Sequence, residues 1–343
     1  MMNRYPIDVN ASGAVHLGEA IVCDGFYHDA QARVQTHIHE DHMEDFESSK
    51  GFQKIFMSDA TRRLLINEKN ADLPIRDNLI ALEPGVPHDV DGCQLTLLPS
   101  GHMLGAVQTC VELPNGSRLG YSGDLSWPCR DVVQVDALVI DSTYGSPNSR
   151  REFTQGEVET RLLELVFRLL KRGPVDLIAH RGTLQRALQV LTGQIDCPMI
   201  GSSYVKSEVA VYRECGYCID EVLIAGSVPG KAALDNGRYI RVYGKGDRVP
   251  VDRGHSSRIT LSAFMSRPDD PVLEYSDVAY RVALSDHADF EGTLQYILAT
   301  GAKYVITDNT RGGNGVRLAL EIQSRLGLAA RPSSNQASRE WGT

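Results

Sequence analysis

The sequence predicts an α/β fold, because short apolar runs alternate along the chain with helical patterns. Several runs rich in β-branched residues stop at a polar cluster, which is typical of a strand and its end. These segments are ARVQTHIH, CQLTLLPSGH, SRLGYSGD, DALVIDSTYG, YRVALSDHAD and AKYVITDN. Since a histidine or aspartate lies just past each run, we expect these side chains to share one edge of a sheet.

The clearest helical pattern spans residues 151–173 and predicts one long helix. Its apolar residues recur at helical spacing before Gly173 and Pro174 stop it: Val158, Leu162, Leu165, Val166, Leu169 and Leu170. Similar patterns in SDATRRLLINEK, GTLQRALQVLTG, HADFEGTLQYILATG and GNGVRLALEIQSRLG predict further helices. The third of these should cover residues 288–299, and an interpretation of SDHAD as only the cap of this helix is compatible with Ser285 or Asp286 as its N-cap. Only the tail RPSSNQASREWGT is predicted to be loosely ordered.

The composition is that of a globular protein. With 343 residues, of which 42% are hydrophobic and 23% charged, the chain can bury one large core or two modest ones. No apolar run approaches the roughly 20 residues of a membrane span, so we expect a cytoplasmic protein without a membrane partner. The seven cysteines are odd in number and scattered, which favours reduced thiols. The CGYC segment at 215–218 is either a pair of ordinary thiols, which is favoured, or a redox or zinc pair.

The segment THIHEDHMED, at residues 36–45, concentrates histidine in a chain that has only 10. His37 and His39 are two apart in an extended segment and point to the same side, so both can bind one ion. Asp41 and His42 follow where the chain turns into a helix, and they can face a neighbouring ion. Two metals roughly 3.5–4 Å apart form a hydrolytic clamp. The segment therefore predicts part of a two-metal site.

Later strand ends should supply the missing ligands. His102 in PSGHMLGA and Asp124 in YSGDLS are the candidates. Taken singly, a histidine after a strand is more often a hydrogen-bonded structural residue, and Ser-Gly-Asp is more often a turn. Their occurrence in order after the histidine cluster favours the metal interpretation.

Together, THIHEDH, GHMLGA and YSGDLS resemble the ligand motifs of the metallo-β-lactamase fold, an αββα sandwich. Asp24 in IVCDG stands at the place of the supporting aspartate of that family. The resemblance implies two Zn²⁺ ions, with the following ligands: His37, His39 and His102 for the first, Asp41 and His42 for the second, and Asp124 as the bridge.

Two further segments, VIDSTYG and VALSDHADF, resemble motifs of the β-CASP branch, which cleaves nucleic acids and carries an inserted α/β domain. The resemblance implies a core in two parts, residues 1–141 and 286–343 with the C-terminal tail, and a β-CASP insert at 142–285. It also implies that His287 is the general acid and that Asp141 orients its ring. Otherwise SDHAD would only cap a helix, which would not account for the histidine.

Among β-CASP proteins, the short chain and the segments LSDHADF, TGAKYVITDN and DSTYGSP resemble the bacterial and archaeal DNA exonucleases found with DNA ligases. That likeness implies a DNA exonuclease with a metal-bridging hydroxide as nucleophile, with Asp41 among its catalytic residues and a DNA ligase or helicase as partner. RNA processing by the same chemistry is the first alternative. A non-catalytic scaffold that binds nucleic acid is the second.

One departure concerns the second metal. Where RNA-processing relatives place a histidine ligand after the last strand, an ungapped match puts Asn309 and a one-residue gap puts Asp308. The second site is therefore expected to be weaker, to use Asp308, or to take a metal that prefers oxygen ligands, such as Mn²⁺. DNA-cleaving relatives also lack that histidine, which favours DNA.

Charge adds a candidate nucleic-acid surface. The net charge of −9 argues against a polyanionic partner, but residues 142–285 hold 19 Lys and Arg against 17 Asp and Glu. Residues 237–258 are locally basic, and they either face phosphates or form a solvated face. The candidate contacts in this strip are Arg238, Arg241, Lys245 and Arg248, and its other basic residues are Arg253 and Arg258. Arg186, in a segment that resembles the start of the β-CASP insert, is a further candidate contact.

Overall fold

The computed structural model describes residues 5–69, 72–251, 254–264 and 267–333, and it confirms the predicted α/β class. The chain forms two compact units. The first comprises Met1–Arg150 and His287–Thr343, and the second comprises Arg151–Asp286.

The first unit contains a six-stranded sheet whose strands are adjacent in chain order. The first three strands are antiparallel neighbours, and the last four are parallel neighbours. The strands are β1 (Ile7–Val9), β2 (Val15–Leu17), β3 (Ile21–Cys23), β4 (Ala32–Val34), β5 (Lys54–Met57) and β6 (Leu79–Ala81).

A seven-stranded sheet completes the strands of this unit, in the order β20-β19-β11-β10-β9-β8-β7. Its β7–β10 part is antiparallel, and the strands from β10 to β20 run parallel. The strands are β7 (His88–Val90), β8 (Cys93–Pro99), β9 (Val107–Glu112), β10 (Arg118–Tyr121), β11 (Ala137–Ile140), β19 (Tyr304–Thr307) and β20 (Ala329–Pro332); β12–β18 lie in the second unit.

The two sheets of the first unit pack face to face through one buried apolar cluster. Alternating residues of many of the strands point into it, as period-two patterning requires. Leu17 and Val34 come from the first sheet, and Leu95, Leu119 and Val139 come from the second. This shared core fixes where the strands end, and thereby where the polar segments that follow them lie.

The α-helices in the described residues of the first unit are α1 (Phe46–Phe52), α2 (Asp59–Lys69), α7 (Phe290–Thr300) and α8 (Gly315–Glu321). Phe290, Leu294 and Leu318 form a second core with Leu138 and Ile140 of β11. The N-cap of α7 is Asp289, which accepts a hydrogen bond from Gly292 N at 2.9 Å. Asp289, rather than Ser285 or Asp286, therefore caps this helix.

The second unit holds a mostly parallel sheet in the order β14-β13-β15-β12-β16-β18-β17, with β17 antiparallel at one edge. Its strands are β12 (Val175–Ile178), β13 (Met199–Gly201), β14 (Val222–Ile224), β15 (Ile240–Tyr243), β16 (Ser257–Leu261), β17 (Val272–Ser276) and β18 (Ala279–Val282). Its helices are α3 (Gln155–Leu170), α4 (Thr183–Leu191), α5 (Ser203–Glu214) and α6 (Val228–Asp235).

The helix predicted for 151–173 begins only at Gln155, because Thr154 caps it. The Thr154 hydroxyl accepts from Glu157 N, and the Glu157 carboxylate accepts from Thr154 N at 2.7 Å. This is a capping box, which satisfies two backbone donors at the helix start. The six predicted apolar residues are all buried.

The expectation that all the polar strand ends share one sheet edge is wrong. Strand β4 lies in the first sheet, and β8, β10, β11 and β19 lie in the second. Strand β18 belongs to the second unit. An apolar run predicts a strand but does not say which partner it pairs with, because pairing depends on contacts distant in sequence.

The tail prediction is also partly wrong, since Arg331 and Pro332 pair in β20 with β19. Residues 334–343 lie outside the described residues. None of the seven cysteines, all of which lie in the described residues, is joined in a disulfide. Within the described part of the chain, every helix is too short or too polar to serve as a membrane span.

Candidate metal centre

The segment that follows β4 brings the clustered histidines to the junction of the two sheets. Val107 N, at the start of β9, donates to Thr36 O at 3.1 Å and so ties this segment to the second sheet. His39 is extended (φ −67°, ψ 150°), and Glu40–His42 then forms one turn of 3₁₀ helix. Because of this sequence of conformations, the ring centroid of His37 lies 4.7 Å from that of His39 and 4.1 Å from that of His42.

Two strand ends of the second sheet supply the other donors. His102 follows β8, and Asp124 follows β10. Between β10 and Asp124, Gly123 has φ +51°, and a Cβ there would lie 2.8 Å from Val107 O. Only glycine fits this turn without strain, so the SGD signature is a steric requirement for delivering Asp124 to the site.

Four donor atoms converge with the spacing of a metal site. Asp124 Oδ2 lies 3.4 Å from His37 Nε2, 4.0 Å from His39 Nδ1 and 3.4 Å from His102 Nε2, and the last atom lies 3.1 Å from His39 Nδ1. A tetrahedral Zn²⁺ with bonds of about 2.0–2.1 Å has ligands about 3.4 Å apart. All four donors lie within 4.8 Å of one another, so these residues could hold a metal ion, whose identity is open.

Burial supports this fit. His37 Nε2 is buried and has no hydrogen-bond partner among the described residues, while His37 Nδ1 lies 3.0 Å from Thr36 Oγ1. A buried imidazole nitrogen without a partner is costly unless an ion uses it. Burial also lowers the pKa of His37 well below its usual value, which leaves the neutral form that a metal requires.

Asp124 is ionised at the centre of the cluster. Its burial would favour the neutral acid, but the neighbouring His42 and His287 hold the pKa of its carboxyl well below the usual range. Its second oxygen, Oδ1, lies 3.1 Å from His42 Nε2. The two oxygens of Asp124 therefore face two different groups of histidines, as a bridging carboxylate does.

Asp24 supports the cluster from behind. Its carboxylate accepts from Thr36 N at 2.8 Å and Thr36 Oγ1 at 2.5 Å, and it lies 2.7 Å from His42 Nδ1. Burial opposes the protonation of His42, but Asp124 and Asp24 outweigh it and raise the pKa of His42 to about 10. A carboxylate behind a metal-ligating histidine is the usual partner that fixes its ring and tautomer.

The second cation position is less complete. His42 Nε2 and Asp124 Oδ1 face each other, but the Asp41 carboxylate lies 3.8 Å from His42 Nε2 and its side chain is 54% exposed. Within the described residues, Asp41 belongs to none of the groups of three or more donors that converge within 4.8 Å.

Neither residue expected to complete that position offers a free donor toward it. Asp308 Oδ1 accepts from Thr310 N at 2.9 Å and Thr310 Oγ1 at 2.7 Å, and Asp308 Oδ2 is ion-paired with Arg311. The side chain of Asn309 is buried and without a hydrogen-bond partner in the described part. It does not line the small pocket that Asp308 and Arg311 share with Asp124.

His287 and Asp141 lie beside the cluster. His287 Nδ1 is 3.1 Å from Asp141 Oδ2, and His287 Nε2 is 3.8 Å from Asp124 Oδ2. The other oxygen of Asp141 accepts from Thr143 N at 2.8 Å and Thr143 Oγ1 at 2.7 Å. One face of the imidazole is thus held by a fixed carboxylate while the other nitrogen faces the metal donors. Asp124, Asp141 and His287 also lie close enough together to hold an ion themselves.

Sequence reasoning missed two residues at this site, Tyr144 and Arg311. The Tyr144 ring makes an edge contact with His287, with centroids 5.7 Å apart. Tyr144 stands in the quoted segment DSTYG, so its position near Asp141 was available in the sequence. Arg311 had no such signal, because the residues it contacts are far away along the chain.

The candidate nucleic-acid contacts differ in their partners and in their exposure. Arg186 pairs with Glu159 at 2.7 Å and donates to Ser285 O at 2.9 Å. Arg241 lies over the Tyr243 ring, 5.2 Å from its centroid. The remaining candidates are the exposed Arg238 and Arg248 and the half-buried Lys245, and Arg253 lies outside the described residues.

Replacing Asp24 with alanine should destabilise the metal-free protein by about 3–5 kcal/mol. The reason is that two Thr36 donors and the charged His42 ring would lose their buried acceptor. The free energy of unfolding would be measured by urea titration in chelator.

Asp91→Ala is the matched control for Asp24→Ala, since Asp91 has the same φ of 51° but is exposed. It should cost only the backbone strain of a left-handed residue, about 1–2 kcal/mol. Equal losses in the two variants would mean that the Asp24 carboxylate does not support the histidine cluster.

No protein-family profile matches this chain. A curated relative, the uncharacterized protein in the lig 3′ region of Acidianus ambivalens, is 34% identical over 125 residues, which are 36% of this chain and 89% of that protein. The crystal structure of a protein of unknown function from Enterococcus faecalis V583 aligns with a TM-score of 0.57 at 14% identity, over 82% of this chain and 76% of that one, so the two share a fold. Because nearly the whole Acidianus protein is matched, the chain belongs to the same family as that protein.

Proposed function

We propose that the protein is a metal-dependent nuclease of the metallo-β-lactamase fold, β-CASP branch, that trims DNA from an end. The observation that carries the proposal is the position of the His287–Asp141 pair, with His287 Nε2 3.8 Å from the Asp124 carboxylate at the centre of the metal donors. Phosphodiester hydrolysis needs a nucleophile and a proton donor on opposite sides of the phosphorus, and this site offers groups for both.

Each residue has a distinct part in the proposed mechanism. His37, His39, His102 and Asp124 would hold one cation, and His42 with Asp41 and Asp124 a second. When bound, such cations supply Lewis acidity toward a phosphate oxygen and lower the pKa of water. Asp124, ionised and buried, neutralises the positive charge that gathers in the site.

His287 is the proposed general acid. Asp141 holds Nδ1, which fixes the ring and favours its protonated form, so that Nε2 carries the proton given to the departing oxygen. Thr143 fixes Asp141 in turn, and Tyr144 supports the edge of the imidazole. The ring is thereby held in one orientation before substrate arrives.

DNA is favoured over RNA. The name of the Acidianus relative points to a ligase-associated gene, and a nuclease beside a ligase would prepare DNA ends for joining. A DNA ligase or helicase is accordingly the proposed partner. Zn²⁺ is proposed for the position with three histidines, and Zn²⁺ or Mn²⁺ for the position with more oxygen donors.

A paired-substrate assay tests the proposal. End-labelled single-stranded DNA and RNA of one sequence would be incubated with Zn²⁺, with Mn²⁺ and with chelator. We expect metal-dependent shortening of the DNA from one end and slower loss of RNA. Degradation of RNA alone would replace the DNA assignment, and binding without cleavage under every metal would replace the nuclease assignment with a scaffold.

A further inference from the structure

Arg311 is a buried cation at the edge of the proposed metal centre. It lies in the segment between β19 and α8, and its side chain is only 10% exposed. Its guanidinium pairs with Asp308 and donates to three backbone carbonyls. These are Asp41 O at 3.0 Å, Gly13 O at 2.7 Å and Asp24 O at 3.2 Å.

Two of these carbonyls belong to residues that build the second cation position. Asp41 is itself a candidate ligand, and the Asp24 carboxylate holds His42 Nδ1 at 2.7 Å. Arg311 therefore fixes the backbone at both ends of the Asp24–His42 contact. A planar guanidinium with several fixed donors suits this task, since it can bond divergent carbonyls at once.

Because the Arg311 side chain is ion-paired with Asp308, the Asp308 carboxylate is not available as a ligand of the second cation. Both oxygens of Asp308 are engaged, one by Thr310 and the other by Arg311. Arg311 and Asp308 line one small pocket with Asp124 and Asp141, so the guanidinium lies beside the carboxylate that is proposed to face both cations.

We propose that Arg311 is a positioning residue that takes the place of a ligand after β19. Arg311 connects the end of β19 directly to the turn that carries Asp41. In a site with a ligand after β19, the second cation and that ligand would make this connection. The second cation is then bound by Asp41, His42 and Asp124 without a further protein ligand, and more weakly than the first. The inference rests on the metal centre of the proposed function but not on its substrate.

The test measures bound metal rather than activity. Chelated protein would be titrated with Zn²⁺, and separately with Mn²⁺, against a chromophoric chelator, and metal content would be counted by mass spectrometry. We expect two classes of site whose dissociation constants differ by at least about tenfold. Arg311→Met, which keeps the bulk but removes every donor, should weaken the second site by a further 10–100-fold, the usual cost of losing such a support. The first site should change less than about threefold.

Two variants control this result. Asp308→Asn keeps the three carbonyl bonds of Arg311 and should leave both sites within about threefold of wild type. In Arg311→Ala, added methylguanidinium should restore the second site, whereas methylammonium at the same concentration should not. Unchanged first-site affinity shows that each variant is folded.

Two results would contradict the proposal, and a third would contradict the nuclease assignment alone. If Arg311→Met tightens the second site or leaves it unchanged, the guanidinium does not position the ligands and the proposal fails. If Asp308→Asn alone releases the second ion, Asp308 is a ligand and the proposal also fails. A protein that binds two ions as described but cleaves no nucleic acid would sink the nuclease assignment and leave this inference standing.

Discussion

Replacing His287 with alanine should lower turnover by about 10²–10⁴-fold while bound metal stays unchanged. The expectation follows from the two nitrogens of the ring. Nδ1 is held by Asp141 at 3.1 Å, and Nε2 lies 3.8 Å from Asp124 without entering the group formed by His37, His39, His102 and Asp124. In the proposed function a residue with that placement is the proton donor, and its loss should leave the metal donors intact.

A substrate with a better leaving group separates this role from a structural one. An aryl phosphodiester such as bis(4-nitrophenyl) phosphate releases a phenolate that needs little protonation. The loss caused by His287→Ala should therefore shrink to a few-fold on this ester, while the loss on DNA remains large. A purely structural defect would slow both substrates alike.

Metal analysis of the same variant tests the competing role. Asp124, Asp141 and His287 are close enough to hold an ion themselves. If His287→Ala loses one equivalent of metal, the residue is a ligand and the general-acid assignment fails. Asp141→Asn is the companion variant, because it keeps the shape but removes the charge beside Nδ1, and its effect should be smaller than that of His287→Ala.

The parts of the site that depend on residues close together in the sequence could be predicted from local patterns. The alternation of His37 and His39 in an extended segment brings their rings within 4.7 Å of each other, and this can be foreseen from the period of two alone. The left-handed turn at Gly123, before Asp124, is likewise local, although the clash that a Cβ there would make with Val107 O depends on tertiary packing.

Features that depend on tertiary packing could not be predicted in the same way. The bond from Arg311 to Asp41 O spans 270 positions, and nothing near Arg311 distinguishes it from a surface arginine. The N-cap of α7 was ambiguous because Ser285, Asp286 and Asp289 are all good caps. In the structure Asp289 is the N-cap, and Phe290, the first residue of the helix, is buried in the core with Leu138 and Ile140.

The exposure of the arginines in the basic strip at 237–258 also could not be predicted from the sequence. Composition identified it, but charge alone does not say which arginines face solvent. Arg241 lies in β15 directly opposite Asp176 of β12, and Arg258 in β16 lies opposite the same aspartate on its other side. Strand register thus gives these two arginines a buried acid to neutralise, and it leaves Arg238 and Arg248 as the more exposed candidates.

Replacing Asp124 with alanine should have the other largest effect, the loss of both metals together with activity. The two oxygens of Asp124 face the histidines of both proposed positions, with Oδ2 3.4 Å from His37 and His102 and Oδ1 3.1 Å from His42. Removing it leaves three buried imidazoles without their common anion. The histidines, with Asp41 as their remaining anionic ligand, would then have to hold two dications close together, against strong mutual repulsion.

Melting temperature with and without metal measures this loss independently of activity. A ligand that binds only the folded state at 100 times its dissociation constant stabilises it by about 2.7 kcal/mol, or roughly 5–10 °C for a unit of this size. Wild type and the exposed control Asp131→Asn should show that rise when Zn²⁺ is added to chelated protein, and Asp124→Ala should show none. If Asp124→Ala still rises as wild type does, the cation is not held at the junction of the two sheets, and the nuclease proposal loses the site on which it depends.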